Sequence, residues 1–332
     1  MTFEQPHNKG NQENNKASYG VRFEALSRRP ELVRAAAAKA EALIARESVD
    51  LSDFIDVYEQ KEIVADLRRV ENLEAKWAGR RENTQPGDVL LEQASLAAEA
   101  LVYQEIALGG WFAVPGVKVY VEKTSRPDDV LHKVDLVLTF VSESDTEPFA
   151  ITVDVTAGPG TLMEKVLSIK QEIDEGRLSM VKYHQTLDGE HGSLDAVPRA
   201  VLGIDPTELA ALLDLWVHAS PENKERLHAH PIQRLFVEEI FVQLRQYHHY
   251  AVAKKMGDKI IGRLDSALTT FATIRSAKEK ALGPIKKESH VEMLAAIQRV
   301  LGVLEHKPVS TTAPQLSTEN RWRRDIVRRL RP

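Results

Sequence analysis

Residues 132–140, HKVDLVLTF, and 149–156, FAITVDVT, decide how this 332-residue chain is read. In the first stretch Val134, Leu136, Leu138 and Phe140 fall on one face of an extended chain, and Lys133, Asp135, Val137 and Thr139 on the other. In the second, Ile151, Val153 and Val155 share a face while Thr152, Asp154 and Thr156 share the opposite one. A period of two marks a strand with one buried face. Aspartate is disfavoured in strands, so two of them at matching depth in neighbouring strands call for a reason.

The pattern extends outward from this pair. Val117, Val119 and Val121 alternate with Lys118, Tyr120 and Glu122, predicting an earlier strand, and TSRPDD at 124–129 reads as the loop joining the two. Before it, about Val89 to Leu108 places Leu90, Leu91, Ala94, Ala97, Ala98, Leu101, Val102 and Ile106 at helical spacing and stops at Gly109-Gly110. After Thr156, GPGT at 158–161 opens a helix running to about Glu175 that carries Lys165 and Lys170. Short extended runs at about 178–184 and 199–204 follow. The expectation is an α/β core over 89–205, with a mixed sheet of about five strands flanked by helices.

Around the core the chain reads as helical extensions. Residues 1–20 are polar and cannot bury enough apolar surface to offset ordering entropy, which predicts a disordered leader. Residues 21–88 read as a helical region, with PELVRAAAAKAEALIARES from Pro30 and a second helical stretch from about Leu51 to Arg80. Residues 206–305 are again helical in pattern. The Pro/Ser/Thr stretch HKPVSTTAPQLSTEN then leads to RWRRDIVRRLRP, a tail over 306–332 that contains Arg323, Arg324, Arg328 and Arg329. It is the obvious candidate for contacting a nucleic-acid backbone, and solvated basic termini are its plain alternative.

Composition removes several classes of function. Cysteine is absent, so there is no disulfide framework, no thiolate-held zinc or iron–sulfur centre and no thiol nucleophile. No run of about 18 apolar residues occurs and the N-terminus lacks a signal-peptide pattern, which predicts a cytoplasmic protein that does not enter the membrane. A net charge of −5 provides no global field for polyanions. His228 with His230, and His248 with His249, are adjacent or alternate on helices and so do not share a face; they read as structural or surface residues. GPGT satisfies neither phosphate-loop pattern and reads as a tight turn.

With Asp135 on one strand, Asp154 on the next and Glu99 on the preceding helix, the carboxylates could converge on a hard cation that retains waters and substrate oxygens. On these residues the chain resembles the PD-(D/E)XK nuclease superfamily over about 99–205. Asp135 in HKVDLVLTF matches the first acid of that family, Asp154 in FAITVDVT the second, and Glu99 in LAAEALVYQE the helical glutamate. The resemblance implies a restriction-endonuclease-like core and a DNA endonuclease that uses Mg²⁺ or Mn²⁺, with RNA left open as substrate. The family lysine is replaced, since Thr156 stands two residues after Asp154. Some members supply this lysine from the following helix, which makes Lys165 the first substitute and Lys170 the second, with Lys133 third. The competing reading is a catalytically inactive nuclease-like fold that binds nucleic acid or protein, and Thr156 favours it. A helical protein with a small sheet and no site is the third. Helical flanks of this size are compatible with a homodimer.

Overall fold

The computed structural model describes residues 24–81, 86–142, 148–157 and 159–285. The leader at 1–20, residues 286–305 of the expected helical region and the arginine-rich tail lie outside these residues. The chain is mixed α/β.

Helix α1, Pro30–Glu47, starts with proline at its first position and buries Val33, Ala36, Ala37, Ala40 and Leu43 along one stripe. The single long helix expected from Leu51 is instead a 3₁₀ turn, Leu51–Phe54, followed by α2, Gln60–Arg81. Asp50 caps the turn by accepting from the Ser52 amide at 2.9 Å, which separates it from α1. Helix α3, Pro86–Ala107, lies on the sheet, with Ala94, Ala97, Ala98, Leu101 and Val102 fully buried.

Strand β1, Val117–Lys123, pairs antiparallel with β2, Leu136–Ser142, which pairs antiparallel with β3, Phe149–Ala157. Helix α4, Pro159–Asp174, follows, and β6, Arg199–Ile204, closes the sheet parallel to β3. The sheet order is β1-β2-β3-β6. The expected fifth strand is not in it. Residues 179–185 form β4, which pairs antiparallel with a strand the sequence did not announce, β5, His191–Val197, in a separate two-stranded sheet. The hairpin covers the main sheet: Val181 and Leu194 pack with Val134 and Val137, on the β2 face opposite Leu136 and Leu138.

A second correction concerns the start of β2. Residues 128–132 form one π-helical turn and Lys133 is left-handed at φ 58°, so the strand begins at Leu136 and Lys133 does not share a strand face with Asp135. Asp128 holds this corner. It is fully buried and accepts from Ser125 and from the amides of Lys182 (2.7 Å) and Tyr183 (3.0 Å) on β4.

The C-terminal helices are α5, Pro206–Val217, α6, Pro221–His228, α7, Ile232–Ala253, and α8, Asp258–Leu282. Asp205 and Ser220 cap α5 and α6, each followed by proline at the first helical position. Helix α7 runs along the outer edge of β6. Gln243 pairs with Val201 as another strand would, accepting from its amide at 2.9 Å and donating to its carbonyl at 2.7 Å. Glu239 accepts from the Gly203 amide at 3.0 Å. One continuous apolar core joins α1, α3, the main sheet and α4 to these helices, with Phe271 of α8 edge-on to Phe112 and Phe140. No described helix is long and apolar enough to cross a membrane.

Candidate active site

Antiparallel register places the two aspartates together. Leu136 pairs with Val153, so Asp135, one residue before β2, stands opposite Asp154. Asp135 is fixed at both ends. Its Oδ2 accepts from the Val155 amide at 2.7 Å, and its carbonyl accepts from Thr124 Oγ1 (3.1 Å) and Lys123 Nζ (3.2 Å).

Asp154 is 1% exposed. Its Oδ2 is held by Arg199 of β6, from Nε at 2.8 Å and from the adjacent guanidinium nitrogen at 2.5 Å. The third guanidinium nitrogen donates to Glu172 of α4 at 3.1 Å. Oδ1 of Asp154 is buried with no hydrogen-bond partner. Burial first, and the charge of Asp135 second, push the Asp154 carboxyl up to about 6 against the pull of Arg199 and Lys165. Arg199 is held above its ordinary range: burial opposes its charge, and Asp154 and Glu172 outweigh that.

Lys165 reaches this pair from the second turn of α4. Its ammonium lies 3.8 Å from Asp135 Oδ2, 3.9 Å from Asp154 Oδ1 and 3.4 Å from the carbonyl oxygen of Val155. Three oxygens of separate residues thus face one cationic point. The side chain of Lys165 is 29% exposed, against 11% for Asp135 and 1% for Asp154, so this point borders solvent on the lysine's side.

Glu99 sits in an adjoining cluster. Its Oε1 lies 2.9 Å from Lys123 Nζ, which also reaches Asp129 at 3.3 Å and the Asp135 carbonyl. Burial and the charge of Asp135 push the Glu99 carboxyl upward, and burial likewise raises Asp129. Lys123 is held above its ordinary range because Glu99, Asp129 and Asp135 outweigh the cost of burying it. Lys123 therefore stays charged, and its ammonium pulls Glu99 and Asp129 back toward ionisation against the cost of burying them.

Among the described residues, no group of three or more His, Asp or Glu side chains converges as a metal cage. The acidic pair is Asp135 with Asp154, and the third oxygen is the Val155 carbonyl. This set fits a hard divalent ion, which needs only one or two carboxylates and otherwise keeps water and substrate oxygens. Asp154 Oδ1, buried without a hydrogen bond, is the observation that supports the fit.

Lys170 is elsewhere. It pairs with Asp174 and lies 4.9 Å over the ring of Tyr250. Lys133 is exposed at the rim of a neighbouring cavity. Of the histidines, His228 pairs with Glu105 at 2.9 Å and His248 approaches Asp265 at 3.9 Å. Sequence reasoning missed Lys123, Arg199 and Glu172. Lys123 was within reach, because continuing the alternation of Val117, Val119 and Val121 by one step puts it on the buried face. Arg199 and Glu172 carry no comparable signal. No family model, no curated protein and no solved structure matches this chain.

Proposed function

We propose that the Asp135–Asp154–Lys165 cleft hydrolyses phosphodiester bonds of DNA with Mg²⁺ or Mn²⁺ bound, in a core of the restriction-endonuclease-like type. The observation that carries this reading is the convergence of Asp135 Oδ2, Asp154 Oδ1 and the Val155 carbonyl, with a lysine of the following helix 3.4–3.9 Å from each. The order helix, three antiparallel strands, helix, parallel strand supports it as well.

Asp135, Asp154 and the Val155 carbonyl would hold the ion, which supplies positive charge to phosphoryl oxygens and lowers the pKa of a bound water. The remaining roles belong to the chain. The Val155 amide fixes the Asp135 carboxylate. Arg199 fixes Asp154 Oδ2 and favours its ionised form, leaving Oδ1 on the side of Lys165. Lys165 takes the part of the lysine that Thr156 displaces, donating to the attacking water or to the charge that develops on the phosphoryl oxygens.

The test is cleavage of circular, linear and single-stranded DNA with Mg²⁺ or Mn²⁺ by wild type, Asp154→Asn and Lys165→Ala, with Mn²⁺ binding measured by calorimetry. Metal-dependent cutting lost at least 100-fold in both variants is expected. A folded wild-type protein that neither cuts nor binds Mn²⁺ refutes the proposal.

The same contacts favour one other reading. An ammonium at the meeting point of three oxygens is a built-in cation, and Asp154 is already tied to Arg199. A core neutralised in this way needs no metal and serves as a binding module. Mn²⁺-independent binding of DNA without cutting is its signature.

A further inference from the structure

The carboxyls around Asp135 divide into two sets, each with its own lysine. Lys165 sits loosely on the first. It stands 3.8 Å from Asp135 Oδ2 and 3.9 Å from Asp154 Oδ1, beyond hydrogen-bond distance, and its side chain is 29% exposed. An ammonium held this way can move aside within the cleft and yield its place to a divalent ion.

Lys123 is seated differently. It ends β1 opposite Leu136, the residue after Asp135, so it borders Asp135 from β1 while Asp154 borders it from β3. Its ammonium has three N–H donors, and three oxygens receive them: Glu99 Oε1 of α3 at 2.9 Å, Asp129 Oδ2 of the π-helical turn at 3.3 Å and the Asp135 carbonyl at 3.2 Å. The side chain is 5% exposed. Withdrawing it would leave the largely buried Glu99 carboxylate without its counter-charge, which is the costly way to break a buried pair.

Two carboxylates and a backbone carbonyl form a donor set that a hard divalent ion also takes. Here a fixed ammonium fills it. Many phosphoryl-transfer sites carry two ions about 3.5–4 Å apart. In this cleft Asp135 joins the two places, with its Oδ2 in the first set and its carbonyl in the second.

We infer that Lys123 stands in for a second metal ion, so that the cleft works with one divalent ion per chain. The inference rests on the hydrolytic reading of the cleft. Lys123 is a positioning residue: it anchors Asp135 from the carbonyl side and supplies a permanent positive charge beside the ion. Glu99 and Asp129 hold this lysine and do not ligate the ion.

Full-length wild type, Glu99→Gln, Lys123→Ser and Asp154→Asn are titrated with Mn²⁺, by calorimetry and by loss of the free-ion EPR signal, so that bound ions are counted without reference to cutting. Wild type is expected to bind one ion per chain. Glu99→Gln keeps an acceptor for Lys123 and is expected to bind one ion with less than a ten-fold loss of affinity, where Asp154→Asn loses at least ten-fold. Lys123→Ser frees the Glu99–Asp129 set, which borders solvent at Asp129, and is expected to bind two ions. Three results each overturn the inference and leave the hydrolytic reading in place: two ions bound by wild type, Glu99→Gln weakened ten-fold or more, or a Lys123→Ser protein with the circular dichroism of wild type that still binds one ion. Wild type that binds no ion overturns both. Should Lys123→Ser not fold, the wild-type count and Glu99→Gln decide.

Discussion

Replacing Asp154 by asparagine should make the protein more stable at neutral pH. The carboxyl is 1% exposed and its pKa is pushed from 3.8 to about 6. A carboxyl that binds its proton more tightly in the folded state than in the unfolded one weakens the fold when ionised. The penalty is absent below pH 3.8, grows as pH rises through the window up to about 6, and is complete above it. A shift of this size corresponds to about 3 kcal/mol at pH 7.5. Asparagine keeps the shape and an acceptor for Arg199 but never ionises, so it resembles the protonated aspartate at every pH. Urea denaturation of wild type and Asp154→Asn at pH 7.5, 6, 5 and 4 reads the difference directly. The variant should lead by up to about 3 kcal/mol at pH 7.5, with the lead shrinking to near zero by pH 4. A stability difference that does not change with pH would refute the claim that burial and Asp135 hold this carboxyl up. A gain in stability with loss of cutting would be the exchange expected of a group retained for chemistry.

Two further outcomes follow from the packing. Gln243→Leu strands both the amide and the carbonyl of Val201 away from water, and at about 1–3 kcal/mol for each unsatisfied buried group it should cost about 2–6 kcal/mol in urea denaturation. A loss under about 0.5 kcal/mol would show that solvent reaches that edge. Phe271→Ala removes a fully buried ring that ties α8 to Phe112 and Phe140, and should cost about 3–5 kcal/mol while thermal unfolding remains a single transition. A separate early transition would show that the C-terminal helices fold independently of the sheet.

Where residues alternate over a buried face, the sequence announced the structure. Strands β1 and β3 and the later part of β2 were legible this way, and β6 as a short apolar run. Strand β5 was not: HGSLDAV has few apolar residues, and β4 and the Phe54–His191 contact give it a reason to be extended. The same run that reads as the front of β2 is instead a turn, because Asp128 finds two β4 amides, a long-range contact no local pattern encodes. Within the site, helix geometry alone separates the two lysines. Five residues at 100° each put Lys170 about 140° around α4 from Lys165, so both cannot face the aspartates. Arg199 opens a strand and reads as an exposed charge. Its burial depends on Asp154 and Glu172 arriving from two other elements.

The pairing of Gln243 with Val201 also determines how this sheet meets other molecules. An outermost strand ordinarily offers a row of free amides and carbonyls on which any extended peptide can add itself, the first step toward swapped dimers and fibrils. Along β6, groups that would recruit such a peptide are already occupied by side chains of α7. The opposite margin, β1, carries the exposed Lys118, a charge that an incoming strand would have to accommodate. The two borders of the sheet are therefore guarded by different means, one by a helix imitating a neighbour and the other by charge, and loosening α7 would expose the first to unwanted self-assembly.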